Sequence, residues 1–147
     1  MPFHFALAHV LRLRQAIERQ RTLQLQRINL EISRAEETRA QLDRFLSDSK
    51  QFNSEGLTAG CSAAELQFGS LLRENVARYR EELQCEIRKL ELLRQKALGE
   101  YHQAYREREA LESLWTRQHR VYQQEELRRQ QEKLDADYLL QRWHRRS

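Results

Sequence analysis

The sequence predicts an all-α protein, an antiparallel two-helix coiled-coil hairpin with a longer second helix. Three observations predict it. Helix breakers are scarce, since the one proline is Pro2 and the four glycines are Gly56, Gly60, Gly69 and Gly99. Gly56 and Gly60 fall in one polar stretch, Gln51 to Ser62, and on both sides of it Leu, Ile and Val recur every three or four residues. Finally, 33% of the side chains are charged against 39% hydrophobic, too polar for a conventional globular core of this size. The mixed sign of the charge and the abundance of Glu, Gln, Arg, Leu and Ala favour long helices over disorder.

The first helix is expected over about residues 4–50. Its apolar face runs through Leu7, Val10, Leu13 and Ile17, then Leu25, Ile28, Ile32, Ala35, Leu42 and Leu46. From Ile17 through Arg21 to Leu25 both steps are four residues, a stutter expected to unwind a supercoil locally. Arg21 and Arg39 occupy places on the seam that an ideal zipper fills with apolar residues.

The connector is expected over about 51–62, where Asn53, Ser54, Gly56, Thr58 and Gly60 cluster. The tetrad Ser62-Ala63-Ala64-Glu65 then reads as a capping box that starts the second helix.

The second helix is expected over about 63–143. Its seam is read through Leu72, Val76, Tyr79, Leu83, Leu90, Leu93, Ala97, Ala104, Leu111, Leu114 and Val121, flanked by Ile87, Tyr101, Trp115 and Tyr122. Glu86, Glu100 and Glu107 interrupt one line of it, and Gly69 and Gly99 are soft points. The aromatic residues Tyr79, Tyr101, Tyr105, Trp115 and Tyr122 are read as seam filler. Phe68, Leu71, Leu72 and Val76 lie where the first helix ends, and are read either as an exposed partner-binding patch or as more seam.

A short connector folds the second helix back on the first to bury both stripes. At about 1.5 Å per residue the helices differ in length by some tens of ångströms. Pairing from the connector places Phe5 opposite a residue between Leu111 and Val121, and the rest of the second helix projects without a partner. That projection carries Leu127, Leu134, Tyr138, Leu139, Leu140 and Trp143. Its length mismatch implies a binding partner or self-association, with fraying the alternative in the free protein.

Charge has a gradient along the chain. Residues 1–30 hold five arginines, Arg12, Arg14, Arg19, Arg21 and Arg27, against Glu18, and residues 138–147 add Arg142, Arg145 and Arg146 without an acid. The formal net charge is +4, so the long middle is mildly acidic and the end that bears the termini is basic. A basic end suits an acidic protein surface, nucleic-acid phosphate or plain solvation. The arginines are interleaved with Glu and Gln and form no dense basic run or DNA-binding motif, which disfavours nucleic acid.

Chemistry finds no foothold in the residue patterns. His4 and His9 are five apart, His102, His119 and His144 are isolated, and Cys61 and Cys85 have no metal-ligand spacing and are expected to be free thiols. No phosphate-binding glycine loop or nucleophile elbow is present. The expectation is a non-enzyme without cofactor, metal or small-molecule substrate. No signal peptide or membrane span is read from the sequence, so a cytosolic, soluble protein is expected.

The chain resembles the FliJ family of flagellar type III export proteins. The resemblance rests on Phe5-x-Leu7-x-x-Val10-Leu11-x-Leu13-Arg14 with Glu18, on Thr58-Ala59-Gly60 followed by Ser62-x-x-Glu65-Leu66, and on Glu132-Lys133-Leu134-Asp135. It covers essentially the whole chain. It implies a single coiled-coil domain similar to the central stalk of rotary ATPases, with three kinds of partner: a hexameric export ATPase ring, a membrane export gate protein and export chaperones. The resemblance implies that Arg12, Arg14, Arg19, Leu127, Leu134, Tyr138, Arg142, Arg145 and Arg146 approach the ATPase ring. It places gate contacts at Leu72 and Val76, within the patch that also holds Phe68 and Leu71. The expected location is cytoplasmic, peripheral to the inner membrane at the flagellar base, and the free protein is expected to be monomeric. A basic coiled-coil nucleic-acid-binding or scaffold protein is the alternative.

Overall fold

The computed structural model describes residues 2–60 and 62–146, without the side chains of residues 53 and 57–59. Two helices account for nearly all of it, α1 over Ala8–Ala59 and α2 over Ala63–Arg146, with 52 and 84 residues. The protein is thus an all-α helical hairpin with a longer second helix.

The turn between the helices is much tighter than the expected connector over 51–62. α1 continues through Gln51 and Gly56 to Ala59, because polar composition alone does not stop a helix and one glycine costs only about 1 kcal/mol. What stops it is Gly60, at φ +83°, whose amide donates to the carbonyl of Gly56 at 3.1 Å. This left-handed cap is open to glycine without steric cost. Ser62 then caps α2 as the tetrad predicts: its Oγ accepts from the amide of Glu65 at 3.3 Å. At the outer ends, α1 starts at Ala8 instead of near residue 4, and α2 runs to Arg146. The expectation for Cys61 lies outside the described residues, whereas Cys85 is a free, exposed thiol.

The chain forms two compact units, each with a stretch of both helices. One is Gln20–His102; the other joins the chain up to Arg19 with the chain from Gln103 onward. In the Gln20–His102 unit the helices are antiparallel, as the pairs Arg21 with Glu100, Arg39 with Gln84 and Asp43 with Arg80 show. Its core is Ile32 from α1 with Leu83, Ile87 and Ala97 from α2. Gly56, an expected breaker, is buried on the same seam.

The seams differ from the apolar walks. On α1 one line of half-buried and buried positions runs through Leu11, Arg14, Glu18, Arg21, Leu25, Ile28, Ile32, Ala35, Arg39, Leu42 and Leu46, alternating three and four residues, with Gln15, Ile17, Thr22, Thr38 and Asp43 half-buried beside it. This line needs no stutter, although Ile17, the first step of the expected one, is half-buried along with Arg21 and Leu25. Leu7, Val10 and Leu13 are exposed, and the seam passes instead through Arg14 and Glu18, which an apolar walk steps around, whereas Arg21 and Arg39 are half-buried on the seam as expected. On α2 one line, Val76, Leu83, Leu90, Ala97, Ala104 and Leu111, is the expected one. The other holds Arg80, Ile87, Tyr101 and Arg108, one residue along from the expected line, so Ile87 is 2% exposed while Tyr79, Leu93 and Val121 face solvent; Glu100, Glu107 and Leu114 of the expected line are half-buried beside it. Ile87 and Tyr101, read as flanking residues, belong to the seam itself.

In the terminal unit, Phe5 is buried ahead of α1. The Phe3 ring lies edge-on to Trp115 at 5.8 Å and to His119 at 5.0 Å, and 5.4 Å from Tyr122. Trp115 and His119 stack at 4.6 Å. This cluster pairs the start of the chain with the 115–122 region of α2, in agreement with the expected register.

Candidate functional site

Two surfaces stand out, one in each unit. In the Gln20–His102 unit, an apolar groove of about 700 Å³ lies beside the tight turn. Phe45 and Phe52 line it from α1, and Ala64, Phe68, Gly69 and Leu72 from α2. The geometry is a direct result of helical spacing. Phe45 and Phe52 are seven residues apart and therefore on one face of α1, which continues far enough to carry both. Phe68 and Leu72 are four apart and share a face of α2. Phe68 is 70% exposed and Phe52 72%. Asp48 and Glu65 are the charged residues of the lining. Large aromatic side chains around an apolar groove offer area for a partner at low entropic cost.

Of the four residues expected at this patch, Phe68 and Leu72 line the groove. Leu71 is exposed but is not part of the lining. Val76 is half-buried and sits on the seam. Phe45 and Phe52 have no role in the sequence reading, because the expected connector begins just before Phe52. Their seven-residue spacing is the signal that would have found them.

The second surface is the terminal unit. From Leu127 to Arg146 every residue of α2 is exposed or nearly so, including Leu134, Tyr138, Leu139, Leu140 and Trp143. Arg142, Arg145 and Arg146 are exposed among them, as are Arg12 and Arg19 on α1. Nε of Arg19 donates to the Gln15 carbonyl at 3.4 Å. Arg14 is different: it is half-buried and paired with Glu107, so it acts between the helices.

Arg14 belongs to a run of polar contacts across the helix pair. Glu18 pairs with Arg108, each side chain 17% exposed, and Arg108 also pairs with Glu112. Burial alone would lower the Arg108 pKa, but the hydrogen bond and charge of Glu18, with Glu112, hold it above the ordinary arginine value. The Arg108 guanidinium also lies 5.0 Å from the centre of the Tyr105 ring. Sequence reasoning named Glu107 only as a weak point of the seam and gave Arg108 and Glu112 no role.

Among the described residues no group of three or more His, Cys, Asp or Glu could hold a metal ion. Among the same residues, no helix is long and apolar enough to cross a membrane. The arrangement offers surfaces for binding, each carried on stiff helices.

The family model described as Flagellar FliJ protein matches residues 3–147. The chain belongs to the FliJ family. FliJ membership makes it a component of the flagellar type III export apparatus, and the helical hairpin is consistent with a coiled-coil member. No curated protein and no solved structure matches the chain.

Proposed function

We propose that this FliJ-family chain is a non-enzymatic coupling subunit of flagellar export, binding an export ATPase ring through its basic terminal unit and an export gate protein through the groove beside the turn. The observation that carries this reading is the stretch from Leu127 to Arg146, which presents apolar and basic side chains to solvent along its whole length. Isolated helices of this length are marginal in water, so such a stretch calls for a surface to cover it. Arg12, Arg19, Arg142, Arg145 and Arg146 supply the charge for an acidic ring surface, and Leu127, Leu134 and Tyr138 the apolar contact. Arg14 contributes by fixing the helix pair on which these side chains stand. At the other surface Phe68 and Leu72 from α2, with Phe45 and Phe52 from α1, form the gate contact; Leu71 extends it and Val76 supports it from the seam. Export chaperones are the third class of partner, and the protein works in the cytoplasm at the inner face of the membrane.

The test is ATP hydrolysis by the cognate export ATPase with the full chain and with a chain ending at Glu126. The full chain raises hydrolysis and co-sediments with the ATPase at low salt, and the shortened chain does neither. Unchanged hydrolysis without co-sedimentation of the full chain would overturn the ATPase assignment. Substituting Phe52→Ala and Phe68→Ala together abolishes capture of the gate protein while leaving ATPase stimulation intact.

A further inference from the structure

The two units share the same contacts in different proportion: two of the three α1 seam positions in the terminal unit are charged, Arg14 and Glu18 beside Leu11, against two of eight in the Gln20–His102 unit, Arg21 and Arg39, where Arg21 with Glu100 and Asp43 with Arg80 also pair across the helices. In the Gln20–His102 unit the seam buries Ile32, Leu83, Ile87 and Ala97. In the terminal unit, Phe5 and Ala104 are the buried residues among those described. The seam of α1 there passes through Arg14 and Glu18, which pair with Glu107 and Arg108 of α2. Gln15 adds an amide contact to Glu112 at 3.4 Å, and Glu112 in turn pairs with Arg108. Beyond these polar rungs the terminal unit has Phe5 and Ala104, the half-buried Leu11, Ile17, Leu111 and Leu114, and the cluster of Phe3 with Trp115, His119 and Tyr122.

We infer that the helix pair of the terminal unit is a separable ionic zipper, opened by salt or by a competing charged surface, while the apolar seam of the Gln20–His102 unit stays closed. Three physical points support this. Apolar seams hold in salt, whereas partly exposed ion pairs weaken as the screening length falls to about 3 Å at 1 M. Each arginine and glutamate of the zipper can exchange its partner for an equivalent group on another protein without being left unpaired, which an apolar contact cannot do in water. Helix α2 keeps its backbone hydrogen bonds when the pair opens, so separation does not require unfolding. An opened zipper presents Arg14 and Arg108 to acidic groups, and Glu18, Glu107 and Glu112 to basic ones.

The experiment uses the full chain with Cys61→Ser and Cys85→Ser, spin-labelled through paired cysteines at two places. One pair, Arg12→Cys with Ser113→Cys, spans the terminal unit; the other, Glu36→Cys with Arg88→Cys, spans the Gln20–His102 unit. All four positions are exposed. Pulsed electron–electron distances are compared in about 0.05 M and about 1 M NaCl. The 12/113 distribution shifts to longer distance and broadens at high salt, and the 36/88 distribution does not move. A 12/113 distance unaffected by salt, or an equal change in both pairs, overturns the inference. A second chain carrying Arg14→Leu, Glu18→Leu, Glu107→Leu and Arg108→Leu replaces the ionic rungs by apolar ones. It keeps the low-salt 12/113 distance at high salt; a salt response as large as that of the unsubstituted chain also overturns the inference.

Discussion

Truncating Ile87 to alanine tests which side of α2 faces α1. The side chain is 2% exposed, the most completely buried large residue among those described in the Gln20–His102 unit. Ile87→Ala removes three carbons, worth about 2.4 kcal/mol at about 0.8 kcal/mol per buried methylene. Incomplete collapse of the space adds to this, within the range of about 2–5 kcal/mol for such truncations. At about 2–4 °C per kcal/mol for a chain of this size, the melting midpoint falls by about 5–10 °C. Leu93→Ala removes the same number of carbons from a position 52% exposed and costs less than about 1 kcal/mol. Thermal and urea unfolding followed by far-ultraviolet circular dichroism read both variants. If Leu93→Ala destabilises as much as Ile87→Ala, the seam runs along Tyr79 and Leu93, and the facing assigned to α2 is wrong.

A methyl group added at Gly99 or Gly69 meets no atom within 4 Å, so Gly99→Ala and Gly69→Ala each stabilise by about 1 kcal/mol in the same unfolding assay. Gly60→Ala acts in the opposite direction, because φ +83° strains any side chain, and lowers stability by about 1 kcal/mol. Ser62→Ala removes the Oγ that accepts the Glu65 amide and costs about 1 kcal/mol, whereas Ser62→Asp retains most of the cap. Ending the chain at Glu126 removes a stretch with almost no buried surface and changes the unfolding free energy of the remaining helix pair, read in urea, by no more than about 0.5 kcal/mol.

The existence of two long helices, their unequal lengths and the start of α2 were legible in the sequence, because breakers, periodicity and a capping tetrad are local signals. The seam was legible where it is apolar, and at Arg21 and Arg39, which the spacing of their apolar neighbours places on it. Leu83, Leu90, Ala97 and Ala104 could be found by walking hydrophobic residues, but Arg14 and Glu18 could not, because Leu13 and Ile17 beside them offer the walk an apolar alternative one residue earlier. Skipping those residues also shifted the reading onto Leu7, Val10 and Leu13 and created an apparent stutter. The end of α1 was misplaced for another reason. Gly56 and Gly60 look alike in sequence, yet the first is accommodated inside the helix and the second takes the left-handed conformation that ends it. That error hid half of the groove, since Phe52 belongs to the stretch assigned to the connector, and Phe45 acquires its neighbour only when the helix continues.

The turn has a consequence for how this chain can vary in length. Only residues 60–62 separate α1 from α2, and Gly60 and Ser62 are committed to ending one helix and starting the next, so the two helices are tied closely in length near the turn. Inserting one residue on the turn side of Ile32 would rotate the rest of α1 by about 100° and carry its seam away from Leu83 and Ile87. A seven-residue insertion restores the facing but slides the rungs by two turns, unless α2 gains seven residues at the matching place. Length changes near the turn are therefore tolerated as paired heptads on both helices, whereas α2 beyond Glu126 can lengthen or shorten one residue at a time without disturbing the turn.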